Sequence, residues 1–163
     1  MTQEQYWKEL YQLKTHICYI EQLLEEADRT DRAVKIILAI TSSSSIGAWA
    51  IWQELSWLWA GIIAASQVLS AISPFLPYKE RIKSYSPLLA DLEQIMIQAE
   101  FKWHSIAQGE ITAAEVNKHR FEIRSLKQKS LKKNLNSTTI PTKERKRLIA
   151  EENAREYLNT FYN

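Results

Sequence analysis

The amino-acid sequence predicts an all-α membrane protein, in which a two-helix transmembrane hairpin is flanked by cytoplasmic amphipathic, coiled-coil-like helices. Three observations predict it. Charge is segregated along the chain: residues 1–32 hold four basic and seven acidic side chains, residues 33–78 hold only Lys35 and Glu54, and residues 79–163 hold sixteen basic and eleven acidic. Helices of a soluble domain each keep a wet face, so a nearly charge-free third of the chain is not expected there. Four of the six tryptophans, Trp49, Trp52, Trp57 and Trp59, fall within eleven residues and bracket a short polar turn at 53–56. Three glycines and four prolines leave few breaks in a helical chain.

The sequence thus divides into a cytoplasmic N-terminal helix at 1–32, a transmembrane hairpin at 33–78 and a cytoplasmic helical region at 79–163. The expected spans are about 34–53 and 57–77. From Ile36 to Gln53 run 18 uncharged residues, and from Leu55 to Tyr78 run 24. A span needs about 20 residues, so both suffice in length. The second is strongly apolar. The first carries Thr41 and Ser42 to Ser45 at its centre, hydroxyls that lipid tolerates when they bond back to their own helix. Tryptophan collects where bilayer meets water, which sets the belt Trp49, Trp52, Trp57 and Trp59 at one interface. Arg29, Arg32 and Lys35 precede the first span, and Lys79, Arg81 and Lys83 follow the second, whereas the turn holds only Glu54. The positive-inside rule then puts both termini in the cytoplasm and the turn outside. No cleavable signal is expected, because the first apolar run follows more than 30 polar and charged residues.

Within the spans, Ser43 with Gly47, Ser44 with Ala48, Ala60 with Ala64 and Gly61 with Ala65 make small-xxx-small pairs, so Gly47 and Gly61 are candidates for close helix packing. Thr41, Ser42 and Ser45 form a polar stripe on one span, and Ser66, Gln67, Ser70 and Ser73 form a second on the other. Polar stripes in lipid must meet each other or water. In one chain they can bond across the hairpin; in an oligomer they can line a pore.

Outside the spans, Leu10, Leu13, Ile17, Ile20, Leu24 and Ala27 alternate at spacings of three and four, the seam of a coiled-coil partner. A second stripe follows Pro87, which is expected to open a new helix: Leu88 or Leu89, Leu92, Ile95 or Met96, Ala99, Trp103 and Ile106. These two stripes are expected to pack together as a stalk. Gly109 is expected to end that helix, and Thr112 with Glu115 matches a capping box opening the next. Residues 118–133 form a basic patch, with Lys118, Arg120, Arg124, Lys127, Lys129, Lys132 and Lys133 against Glu122 alone. A solvated helix face is the default reading, and the sharper ones are attraction to anionic lipid or to a nucleic acid or nucleotide. Few aromatics interleave the patch, so nucleic acid is not expected as the primary partner. Residues near 134–140 form a linker, and a last amphipathic helix follows Pro141.

The sequence points to no enzyme, cofactor or metal. His16, His104 and His119 are scattered, Cys18 stands alone and is expected to be buried in a helix, and no nucleotide-binding or nucleophile motif occurs.

The short N-terminal helix ending in Arg29 and Arg32, two spans with a tight outside turn, the stretch PYKERIKSYSPLLADLEQIMIQAE, the GEITAAE segment at 109–115 and the terminal EENAREYLNTFYN together resemble the SLATT family of bacterial two-transmembrane proteins. The likeness covers most of the chain and is mainly architectural. It implies a homo-oligomeric membrane effector of antiphage defence that forms pores or disrupts the membrane when a sensor protein or nucleotide-signalling system encoded nearby detects infection. It implies no catalytic residues. Two other readings stay open: a membrane anchor or scaffold that recruits a cytoplasmic partner, and a holin-like phage protein, against which the long cytoplasmic helices argue.

Overall fold

The computed structural model describes residues 2–51, 56–135 and 139–162, with side chains at 42–51, 56 and 59 left aside. Every regular element among them is helical: α1 (Thr2–Ile51), α2 (Ser56–Ile72), a 3-10 turn (Ser73–Phe75), α3 (Pro77–Ala107), α4 (Ala113–Asn134) and α5 (Glu144–Tyr162). The chain divides into two compact units, one made of Met1–Leu24 with Lys83–Asn163 and the other of Glu25–Ile82.

The first unit holds parts of four helices around one core. The α1 seam supplies Tyr6, Leu10, Leu13, Ile17, Ile20 and Leu23, and α3 supplies Tyr85, Leu88, Leu92, Ile95, Met96, Ala99 and Ile106. The two stripes read from the sequence therefore share a core, as expected; Leu23 is buried there and Leu24 only partly so. Val116 and Ile123 of α4 and Leu158 of α5 complete it. Spacing of three and four keeps these side chains on one face of each helix, which is why burial follows the seam. Polar clasps fix the register. The Tyr6 hydroxyl donates to the Ala99 carbonyl at 2.9 Å in a buried setting. Trp7 packs on Trp103 with ring centroids 5.1 Å apart. The Lys146 ammonium donates to the Gln22 carbonyl at 2.7 Å, and the Gln22 amide returns a bond to the Lys146 carbonyl at 3.3 Å.

Helix ends follow local rules. Gly109 takes a left-handed φ of 72°. Its N–H bonds back to Ile106 at 3.1 Å and that of Glu110 to Ser105 at 3.1 Å, closing α3 with a Schellman motif. A side chain there would be strained, which makes glycine the fitting residue. The expected capping box opens α4: the Thr112 hydroxyl accepts from the Glu115 N–H at 3.3 Å, and the Glu115 carboxylate accepts from the Thr112 N–H at 2.8 Å. One local expectation fails. Pro87 does not open a helix; it lies inside α3, which starts at Pro77. Proline there removes a backbone bond at a cost of roughly 3 kcal/mol, and burial of Tyr85, Leu88 and Leu92 on either side of it offsets that loss.

The linker is held by two tyrosines. Tyr19 donates to the Pro141 carbonyl at 2.5 Å and accepts from the Lys143 N–H at 2.8 Å, while Tyr85 donates to the Thr139 carbonyl at 3.0 Å.

The second unit contains the rest of α1, all of α2, the 3-10 turn and the start of α3. Among its described side chains, Ala27, Asp31, Ser73 and Tyr78 are buried. Asp31 receives Lys35 one turn later on α1 at 2.5 Å.

Truncating the fully buried Leu10 to alanine should cost about 2–5 kcal/mol through lost burial and a residual cavity. The same truncation at Phe101, which is 84 % exposed, should stay within about 0.5 kcal/mol. Chemical unfolding followed by helical circular dichroism checks the contrast.

Candidate functional site

Chemistry-bearing features fall in both units. In the second, the feature is exposed apolar surface. Ile36, Ile37 and Ile40 of α1, Trp57, Leu58, Ile63, Val68 and Ile72 of α2, and Phe75 in the turn are all exposed. Among the described residues one helical stretch, within Ala60–Ala107, is long and apolar enough to cross a membrane, and 6 % of its most apolar window is buried. A core helix of a soluble protein passes the same length test but is buried. Here the apolar side chains point outward instead.

The polar residues read as pore-lining candidates divide by what their groups touch. The Thr41 hydroxyl donates to the Ile37 and Leu38 carbonyls at 2.9 and 3.1 Å, and the Ser66 hydroxyl to the Ile63 carbonyl at 2.8 Å. These bonds satisfy the hydroxyls within their own helix, the arrangement lipid tolerates. Gln67 and Ser70 are exposed, whereas Ser73 is buried in the turn. A Cβ added at Gly61 would meet nothing within 4 Å among the described residues. Trp57 is exposed. The side chains of Ser42, Ser45, Gly47, Trp49 and Trp59 lie outside the described residues, as do Trp52 and most of the turn at 53–56; the first expected span runs into this region.

In the first unit, the seven cations of α4 do not form one solvated face. Arg120 and Arg124 both bind Glu9, a carboxylate of α1 that is 8 % exposed. Arg120 also donates to Gln5 at 2.6 Å. Lys133 reaches Asp91 of α3 at 3.1 Å, and Asn134 adds a bond to the same carboxylate at 2.9 Å. Lys118, Lys129 and Lys132 are exposed, while Lys127 is half-buried. Sequence reasoning did not single out Glu9. Its place beside Tyr6 and Leu10, one turn before Leu13, was the available signal that it borders the core.

Glu122, the lone acid of the patch, bridges α3 and α4. It accepts from Lys102 at 2.6 Å and pairs with His119 at 3.0 Å. The Lys102 bond first, and the His119 bond second, hold its carboxyl down to about 2. Among the described residues no three His, Cys, Asp or Glu side chains gather to hold a metal ion.

No family model, curated protein or solved structure matches the chain.

The depressed Glu122 carboxyl makes a signed prediction. Its folded value lies below the ordinary 4.5, so its contribution is complete above pH 4.5 and is lost as pH falls toward about 2. The group is 40 % exposed, so solvent screening holds the effect to no more than about 1 kcal/mol. Unfolding midpoints across that window should show a slope in the parent chain that Glu122→Gln flattens.

Proposed function

We propose that the chain is a homo-oligomeric effector of the bacterial inner membrane, of the SLATT type, which forms a pore or otherwise permeabilises the bilayer in antiphage defence. In this reading the stretches at about 34–53 and 57–77 both span the membrane as a hairpin, with both termini cytoplasmic. The observation that carries it is the outward-facing apolar surface of α2, interrupted by the exposed Gln67 and Ser70. An amide and a hydroxyl left facing hydrocarbon are costly, and that cost disappears when several copies turn the same stripe toward water. Apolar residues on the first unit, Ile97 and Phe101 one turn apart on α3 and Phe121 on α4, supply exposed surface for self-association. A sensor protein or nucleotide signal encoded nearby would provide the trigger, as the family likeness implies.

The test is membrane potential in cells after induction. The parent chain should depolarise them. Replacing Gln67 and Ser70 together by leucine should abolish depolarisation while the chain still fractionates with the membrane. Depolarisation that persists in the double variant contradicts a water path along this stripe. An unchanged potential with the parent chain, at any expression level, replaces the effector reading with that of an anchor recruiting a cytoplasmic partner.

A further inference from the structure

The first unit holds a pocket of about 620 Å³, open to solvent on one side, among α1, α3, α4 and α5 and bordered by residues 140–142. That volume is within the usual range for small-molecule sites. Its walls are mostly apolar and aromatic, including Tyr11, Tyr19, Ile20, Leu131 and Ile140. Four basic side chains also face it: Lys8, His16, Lys127 and Arg147.

Two of these cations are already neutralised. Lys8 pairs with Glu4 at 2.7 Å, and Arg147 pairs with Glu144 and with Glu151, the one carboxylate in the cavity wall, both at 2.5 Å. Lys127 is different. Its ammonium makes no hydrogen bond or ion pair among the described residues, although its stem is half-buried. Glu9 attracts it from beyond ion-pair distance but is committed to Arg120 and Arg124. A half-buried ammonium without a counter-ion is costly, and an anion placed beside it removes the cost.

We propose that this cavity binds a small organic anion, with a single phosphate-ester or carboxylate group on Lys127 and a flat apolar body against Tyr11 and Tyr19. Residues 140–142 form part of the site, and Tyr19, which bonds the Pro141 carbonyl and the Lys143 N–H, ties them to α1. Burial pushes the Lys127 ammonium below its ordinary value, and burial first and Lys127 second pull the imidazole of His16, open to solvent on one side, down to about 4. This binding is independent of whether the chain forms a pore.

Ligand-observed saturation-transfer NMR on the full folded chain tests it, with phenyl phosphate as the probe and lipid or detergent alone as blank. Saturable binding is expected with a Kd of about 1 mM or tighter. Lys127→Met should weaken it about tenfold or more, Lys127→Arg should restore it, and Lys132→Met should leave it unchanged. Thr142→Trp, at the exposed rim, should also weaken it and stands in if Lys127→Met fails to fold. A benzoate arm separates the two anion chemistries, and tighter binding of either one assigns the headgroup. Absence of saturable binding of either probe overturns the proposal, as does equal binding to the Lys127→Met chain. Equal binding of benzyl alcohol or of inorganic phosphate overturns it too, because the site then lacks one half of its stated recognition.

Discussion

The structure depends on one constraint: α2 carries no charged side chain, and its one polar stripe, Ser66, Gln67 and Ser70, is narrow. Trp57, Leu58, Ile63, Val68 and Ile72 point outward on several sides, and few of the described side chains of its unit are buried. At roughly 25 cal/mol per Å² of apolar surface, a helix left this way in water forfeits the main driving force of folding. Surrounding it with hydrocarbon restores that term and leaves the backbone satisfied by its own helical bonds. Hydroxyls such as those of Thr41 and Ser66 fit the same scheme, because each bonds a carbonyl of the preceding turn.

The other unit obeys the opposite rule. Its helices are amphipathic, and their apolar stripes close on one another, with tyrosines at the margins whose hydroxyls reach backbone carbonyls of neighbouring elements. Buried tyrosine serves well there, since the ring fills volume and the hydroxyl locks register. Charge is used in the same structural way: Arg120, Arg124 and Lys133 tie α4 to α1 and α3. What remains of the basic patch is three exposed lysines, Lys118, Lys129 and Lys132, and one that faces a cavity.

Much of this was legible in the sequence, for physical reasons. The two stripes, the stop at Gly109 and the capping box at Thr112 are written in periodicity and in residue types with strong local preferences. Three features were not. The α4 arginines read as solvated, and Glu9 was not singled out, because ion pairing between distant helices leaves no trace in local spacing. Pro87 read as a helix start because its cost is local, whereas its compensation comes from the core. The cavity was invisible, since Lys127 looks like its neighbours until the fold sets it opposite Tyr11, Tyr19 and Ile140. The charge boundary near residue 32 is also not a boundary of backbone: α1 continues through it to Ile51, because a helix responds to its own hydrogen bonds before it responds to its solvent.

The most direct test of the account asks what surrounds α2. A single cysteine placed at Val68, with Cys18 replaced by serine, can carry a nitroxide whose accessibility is measured in a reconstituted bilayer. The account predicts high collision rates with dissolved oxygen and low rates with a water-soluble nickel chelate, as for a site facing lipid. Free collision with the chelate, or a chain that stays monodisperse in plain buffer and never enters the bilayer, would contradict it.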